Sequence, residues 1–160
     1  REMNETLVRT VVREAGSGSS FAEVYAGAGN FTVHLASRFE RGWAAEGHRA
    51  ATHALHHNLG PGGPVAVHGE DERASHRRLQ RTDAVDVLVA DPPRRGMKRL
   101  LGRRGRGLPR RIVMVSCHPV TAVRDMKTLV SQAGYRLTGL QALDMFPHTH
   151  HLELVAHLSR

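Results

Sequence analysis

Hydrophobic spacing along the chain switches repeatedly between a helical and an extended period. Met3, Leu7, Val8, Val11 and Val12 recur at helical intervals and predict a helix from Met3 to Glu14. "FAEVYA" (21–26) reads as a strand, followed by the turn "GAGN" and an amphipathic helix "FTVHLASRF" over 31–39. "GWAAE" (42–46) predicts a second strand, and a helix follows from His48 to Leu59, ended by the turn "GPGGP" (60–64). "VAVH" (65–68) is a short β-branched run, and "DERASHRRLQ" (71–80) is helical. "AVDVLVAD" (84–91) is a buried-strand run that stops at Pro92 and Pro93, and "RIVMVS" (111–116) is another. A helix over 119–134 has Gly134 as its C-terminal cap. The tail carries two β-like runs, 135–146 and 151–159, separated by Pro147 and able to pair antiparallel. Strands alternating with helices of this length indicate a parallel sheet covered on both faces. With 160 residues and no internal repeat, the pattern fits a single domain.

Composition narrows the class. The chain is 40% hydrophobic and 24% charged, which is globular, and no apolar run approaches the length of a membrane span. One cysteine cannot form an internal disulfide, so no disulfide-linked partner is expected and a reducing cytoplasm is the natural compartment. The net charge of +8 points to a polyanionic partner. Nine arginines and lysines fall between Arg94 and Arg111, interleaved with glycine. That stretch is either a solvated basic loop or a phosphate-binding segment. Aromatic residues make up only 4% of the chain, which argues against a base-stacking platform.

Three features carry chemistry. Gly27 and Gly29 stand between the first strand and the first helix, where glycine lets the backbone approach a ligand closely. Alone, the turn serves equally as a tight corner. Glu46, at the end of the second strand, can accept both hydroxyls of an adenosyl ribose, and Asp91 ends a strand beside the same crevice. Thr32 stands where the dinucleotide fingerprint needs a third glycine, which favours S-adenosylmethionine over NAD. In "DPPRRG" (91–96), Arg94 occupies the place where amino methyltransferases put a base-stacking aromatic. Cys117 follows an apolar run and precedes a helix; by itself it reads as a small buried hydrophobe, and with its neighbours as a nucleophile.

"EVYAGAGNFTVHLA", "AAEG", "VLVADPPRRG", "VMVSCHPVTAVRD" and "LDMFPHTHHLELVAHLSR" resemble, in order, the RNA 5-methyluridine methyltransferase family. The match runs from about Asn4 to Arg160, and "SC-x-P" with "DMFPHT-x-H-x-E" is its most specific part. The resemblance implies a Rossmann-like class I methyltransferase: α/β, a mostly parallel seven-stranded sheet with helices on both faces and an antiparallel last strand. It implies S-adenosyl-L-methionine as cofactor and a uridine in structured RNA, transfer or ribosomal, as substrate. It assigns the nucleophile to Cys117 and the base to Glu153. Around the cofactor it implies Tyr25, Gly27, Gly29 and Asn30 at the turn, Glu46 at the ribose, Asp91 at the methionine end and Asp71 on the adenine side. Arg94, Arg103, Arg104 and Arg106 are then RNA-backbone contacts. No metal is implied. His148, His150, His151 and Glu153 have the composition of a metal site, but no step of the chemistry needs one.

The chemistry accounts for the assignment. Carbon 5 of uracil is a poor nucleophile until a thiolate adds at carbon 6, and a base must afterwards remove the carbon 5 proton. A free thiol is only a few per cent thiolate near pH 7, so its surroundings must favour the anion. A carboxylate serves as the base if partial burial raises its pKa.

Three positions depart from the family pattern: Glu23 for Asp, Ala26 for Cys and His118 for Asn. The family also carries a glutamine upstream of Asn4 and a further RNA-binding or iron–sulfur domain, so residues 1–160 are expected to be the C-terminal catalytic part of a longer architecture. Two rival readings stay open: a non-catalytic RNA-binding module on the same fold, and a methyltransferase with a non-RNA substrate.

Overall fold

A computed structural model describes residues 2–98, 107–144 and 152–160. Its elements are α1 (Glu2–Ala15), β1 (Gly18–Val24), α2 (Thr32–Leu35), β2 (Phe39–Ala45), α3 (Arg49–Leu59), β3 (Val65–His68), α4 (Glu72–Arg81), β4 (Val87–Ala90), β5 (Arg111–Ser116), α5 (Pro119–Ala133), β6 (Arg136–Asp144) and β7 (Leu152–Ser159). The strands form one seven-stranded sheet in the order β3-β2-β1-β4-β5-β7-β6. The first five strands in chain order pair parallel, while β7 runs antiparallel to both β5 and β6. The alternation predicts a parallel sheet covered on both faces, and the arrangement found is the Rossmann-like one with an antiparallel last strand that the resemblance implies. No helix among the described residues is long and apolar enough to cross a membrane.

Strand alternation sorts the core into two layers. Ala22, Val24, Leu88, Ala90, Ile112, Met114 and Leu154 face α4 and α5, meeting Leu79, Met126 and Leu129. Phe21, Val87, Val89, Val113, Val115 and Val155 face α1 and α2, meeting Leu7, Val11, Val12 and Leu35. Glu23 lies between Ala22 and Val24, so the same alternation turns it to the α1–α2 side, as it does Glu153 two residues before Val155.

Several element boundaries differ from expectation. The helix predicted over 31–39 is only four residues long, and β2 begins three residues earlier than "GWAAE". Phe39 accounts for the changes at α2 and β2: its ring packs against Phe21 at 5.3 Å, and its backbone opens the parallel ladder opposite Gly18. The strand predicted over 84–91 narrows to Val87–Ala90.

Candidate active site

Strand order reverses between β1 and β4, the position where open α/β sheets bind ligands at the C-terminal ends of their strands. A crevice of about 510 Å³ opens there, lined by Tyr25, Glu46, Asp71, Asp91 and Arg95 among others. A larger cavity of about 610 Å³ lies between α1 and α2, lined by Asn4, Arg9, Asn30 and Arg38. The smaller crevice is lined by Glu46, Asp71 and Asp91, which makes it the candidate cofactor site; Cys117 and Glu153 are not among its lining residues.

The turn after β1 is shaped for this crevice. Tyr25, Gly27 and Gly29 all have positive φ, at 63°, 56° and 94°. For tyrosine that conformation costs on the order of 1–3 kcal/mol, and such outliers gather at functional sites. A Cβ on Gly29 would come within 2.7 Å of Leu55, so glycine also admits α3 at close range. Glu46 holds the turn: one carboxylate oxygen accepts from the Gly27 N–H at 2.9 Å, the other from the His48 N–H at 2.7 Å. Each oxygen keeps a lone pair, so the carboxylate can still accept two vicinal hydroxyls. Asp71 borders the crevice as the N-cap of α4, accepting from the Ala74 N–H at 2.9 Å. Its backbone hydrogen bonds hold its carboxyl below the usual range.

Asn30 is not part of this crevice. It forms a reciprocal amide pair with Asn4 of α1, at 3.0 and 3.1 Å, and borders the α1–α2 cavity instead.

Three carboxyls gather at the strand ends, the charge of Asp91 acting on both Glu23 and Glu153. Glu23 is 1% exposed and accepts from the Thr32 hydroxyl at 2.7 Å. Burial raises its pKa to about 8; the Thr32 hydrogen bond opposes this and the charge of Asp91 adds to it. Asp91 reaches solvent through the crevice mouth but is otherwise walled in by protein, which raises its pKa to about 6. Glu153 is partly buried, and one of its oxygens is buried without a hydrogen-bond partner among the described residues. Burial, then the charge of Asp91, raises its pKa to about 7.

Cys117 lies at the elbow between β5 and α5, partly exposed and unpaired. Ser116 and His118 form the elbow: the Ser116 hydroxyl accepts from the His118 N–H at 3.2 Å and donates to the His118 carbonyl at 3.3 Å. His118 is the N-cap of α5, its Nδ1 accepting from the Thr121 N–H at 3.3 Å. The cap needs only an acceptor two atoms beyond Cβ, which asparagine also supplies, and this explains why histidine can stand there. The β5–β7 ladder ends at the pair Ser116 and Leu154. Cys117 and Glu153 each lie one residue from that last pair, Cys117 in the bend that follows β5 and Glu153 in β7.

The pattern of single residues missed what holds the "DPPRRG" segment. The Thr121 hydroxyl donates to the Arg94 carbonyl at 3.0 Å, and Arg124 donates to the Arg95 carbonyl at 2.8 Å. Asp125, 1% exposed, accepts from the Met97 N–H at 2.8 Å and pairs with Arg124 at 2.7 Å. Gly96 has φ +76°, and a Cβ there would run into the Asp125 carboxylate. Their spacing at i, i+3 and i+4 on one face of α5 was the available signal. Thr32, the partner of Glu23, was likewise read only as an absent glycine. Ala26 is buried against Ala44 and Leu55, where a small residue suffices. Arg94 and Arg95 are exposed, and Arg95 lines the crevice. Arg103, Arg104, Arg106, His148, His150 and His151 lie outside the described residues.

Comparison with known proteins agrees with this geometry. A profile of the tRNA (uracil-5-)-methyltransferase family matches residues 66–160. A 23S rRNA (uracil(1939)-C(5))-methyltransferase, RlmD, of Dechloromonas aromatica is 34% identical over 161 residues, covering 96% of this chain and 37% of that protein. A tRNA (uracil(54)-C(5))-methyltransferase of Pyrococcus abyssi is 39% identical over 153 residues, covering 95% of this chain and 36% of that protein. The crystal structure of the Pyrococcus abyssi enzyme with S-adenosyl-L-homocysteine matches with a TM-score of 0.80 at 34% identity, over 97% of this chain and 38% of that one. The N-methyltransferase NodS of Bradyrhizobium japonicum shares the fold at 14% identity, with a TM-score of 0.76 over 100% of this chain and 97% of its own. The chain spans a little over a third of the length of the curated relatives it matches. On the strength of the profile match and these relatives, the chain belongs to the tRNA (uracil-5-)-methyltransferase family.

Proposed function

We propose that this chain carries the catalytic site of an S-adenosylmethionine-dependent RNA (uracil-5-)-methyltransferase, with Cys117 as nucleophile and Glu153 as base. The observation that carries the reading is the last β5–β7 pair, Ser116 and Leu154, which supports it because Cys117 and Glu153 each lie one residue away and burial with the charge of Asp91 raises the Glu153 pKa to about 7. The names of the relatives, which act on uracil in 23S ribosomal or transfer RNA, support the substrate class.

The crevice fits the cofactor. The open space over Gly27, the free lone pairs of Glu46 and the shaped turn at Tyr25 suit an adenosyl group, and Asp91 faces the end where a cationic amino acid portion would lie. Bound there, S-adenosylmethionine supplies an electrophilic methyl group. The protein's own residues do the rest. The Cys117 thiolate adds to carbon 6 of uracil, forming the S–C6 bond and shifting the C5–C6 electron pair into an enolate. Carbon 5 then acts as the nucleophile and takes the methyl group, whose bond to the sulfonium sulfur breaks with its electron pair left on sulfur. Glu153 removes the proton left on carbon 5, the C5–C6 double bond re-forms and the Cys117 thiolate departs. Glu153 suits this step because a base whose pKa lies near ambient pH is ionised often enough to accept a proton and still basic enough to hold it. The target uridine must leave its stack for Cys117 to reach carbon 6.

The test is product analysis. Incubation with methyl-deuterated S-adenosylmethionine and transfer or ribosomal RNA, followed by digestion to nucleosides and mass spectrometry, should give deuterated 5-methyluridine. A label found on another base, on ribose or on no nucleoside would contradict the reading.

A further inference from the structure

We propose that the exposed face of α4 is a rail for an RNA backbone, formed by Arg73, Arg77 and Arg81. This rests on the reading of the substrate as RNA and extends it to a surface outside the crevice. The three arginines stand at i, i+4 and i+8, so they line one side of the helix, and all three are exposed. At 1.5 Å rise per residue they span about 12 Å of helix. None of them forms an ion pair among the described residues. Arg78, between them in sequence, is used differently: it pairs with both oxygens of Glu70 at 2.9 and 3.0 Å and covers the Trp43 ring. One helix thus has one arginine committed to the fold and three presented to solvent.

Three like charges in file repel one another and weaken the helix. A face serving only solubility is usually laced with acids, as on helices stabilised by alternating charge. Here the acids stand at the ends: Asp71 and Glu72 open the helix, and Asp83 follows it. The placement fits a path. The N-terminal end of α4 borders the crevice through Asp71 and Glu72. At the other end Arg81 and Arg41 line a groove of about 490 Å³. Gly107 packs against the carbonyls of Leu79 and Thr82, so the arginine-rich stretch ends beside the same end of the helix. A strand whose target base enters the crevice would run its phosphates along α4. Arginine suits phosphate because its planar fork donates two parallel hydrogen bonds.

The test compares the full chain with the variant R73Q/R77Q/R81Q and a control, R9Q/R38Q/R136Q, which removes the same charge from exposed positions elsewhere. Binding of a fluorescein-labelled transfer RNA transcript is followed by anisotropy from 50 to 300 mM KCl, and thermal unfolding confirms that each variant is folded. Three lost phosphate contacts on single-stranded RNA should reduce the log–log salt slope by about 2 and weaken binding about 100-fold at 0.1 M salt. The control should stay within a few-fold of wild type. If the triple variant does not fold, R77Q alone should lower the slope by about 0.7. Equal effects of both triple variants, or none from α4, would overturn the proposal. So would displacement of the RNA by polyglutamate at matched charge concentration, which would assign the face to an acidic polypeptide. An α4-dependent slope without 5-methyluridine formation would uphold the rail and refute the catalytic reading; 5-methyluridine formation with an unchanged slope would do the reverse.

Discussion

Glu23→Gln is predicted to remove a large part of the pH dependence of stability. In the folded chain Glu23 is buried beneath Thr32 with a pKa of about 8, against an ordinary carboxyl value of 4.5. Between these two values the folded state holds a proton that the unfolded state has released. Stability from this group is therefore complete below pH 4.5 and is lost as pH rises toward 8. The slope is about 1.4 kcal/mol per pH unit, so wild type should lose on the order of 3–4 kcal/mol from pH 5 to pH 8 through Glu23. Glutamine keeps the shape and a carbonyl to accept from Thr32 but does not titrate. Any cost of its extra N–H donor is the same at every pH, so the difference in slope isolates the proton. Asp91 and Glu153 have raised pKa values of the same sign, and a shallower fall should remain in the variant. Urea unfolding followed by the fluorescence of the single tryptophan, Trp43, at pH 5, 6, 7 and 8 measures both curves. Parallel curves for the two proteins, or a wild-type stability that rises from pH 5 to 8, would refute the reasoning.

Three further outcomes follow from the same contacts. Asp125→Ala orphans the buried Met97 N–H and leaves Arg124 unpaired; the expected loss is about 3 kcal/mol in urea unfolding, and a loss below about 1 kcal/mol would mean that α5 does not hold the "DPPRRG" segment. His118→Ala removes the α5 cap and should cost about 1 kcal/mol, whereas His118→Asn, which restores an acceptor, should recover most of it by the same assay. Glu153→Gln should slow release of the RNA adduct more than its formation. In wild type the release rate should rise with pH through about 7 as Glu153 ionises, measured by quenched flow and denaturing gels; a flat profile would remove Glu153 from the step.

Regular strands were legible in the chain because a buried parallel strand declares itself as a short β-branched run. β3 and β5 fall where "VAVH" and "RIVMVS" predict them. Local spacing overextends α2 because Phe31, Leu35 and Phe39 fit a helical period, while Phe39 in fact opens β2. Only the partner ring of Phe21, eighteen positions away, decides between these, and local spacing does not contain it. Side-chain direction at turns was equally hidden: Asn30 adjoins the glycines yet pairs with Asn4. Resemblance to the family selected Cys117 and Glu153, but that the strands carrying them are antiparallel neighbours follows from tertiary pairing, which local spacing does not contain. Thr121, Arg124 and Asp125 stand inside a recognised motif, and their spacing marks a shared helix face but not the segment whose backbone that face holds.

The most direct measurement of the central claim is covalent trapping. The chain is mixed with S-adenosylmethionine and RNA carrying 5-fluorouridine, and the products are resolved by denaturing gel and intact mass. Fluorine on carbon 5 cannot be removed as a proton, so the account predicts a stable protein–RNA adduct that includes the transferred methyl group. It also predicts that the adduct is absent from Cys117→Ala and present in Glu153→Gln. An adduct that survives in Cys117→Ala, or methylation of ordinary uridine by that variant, would contradict it.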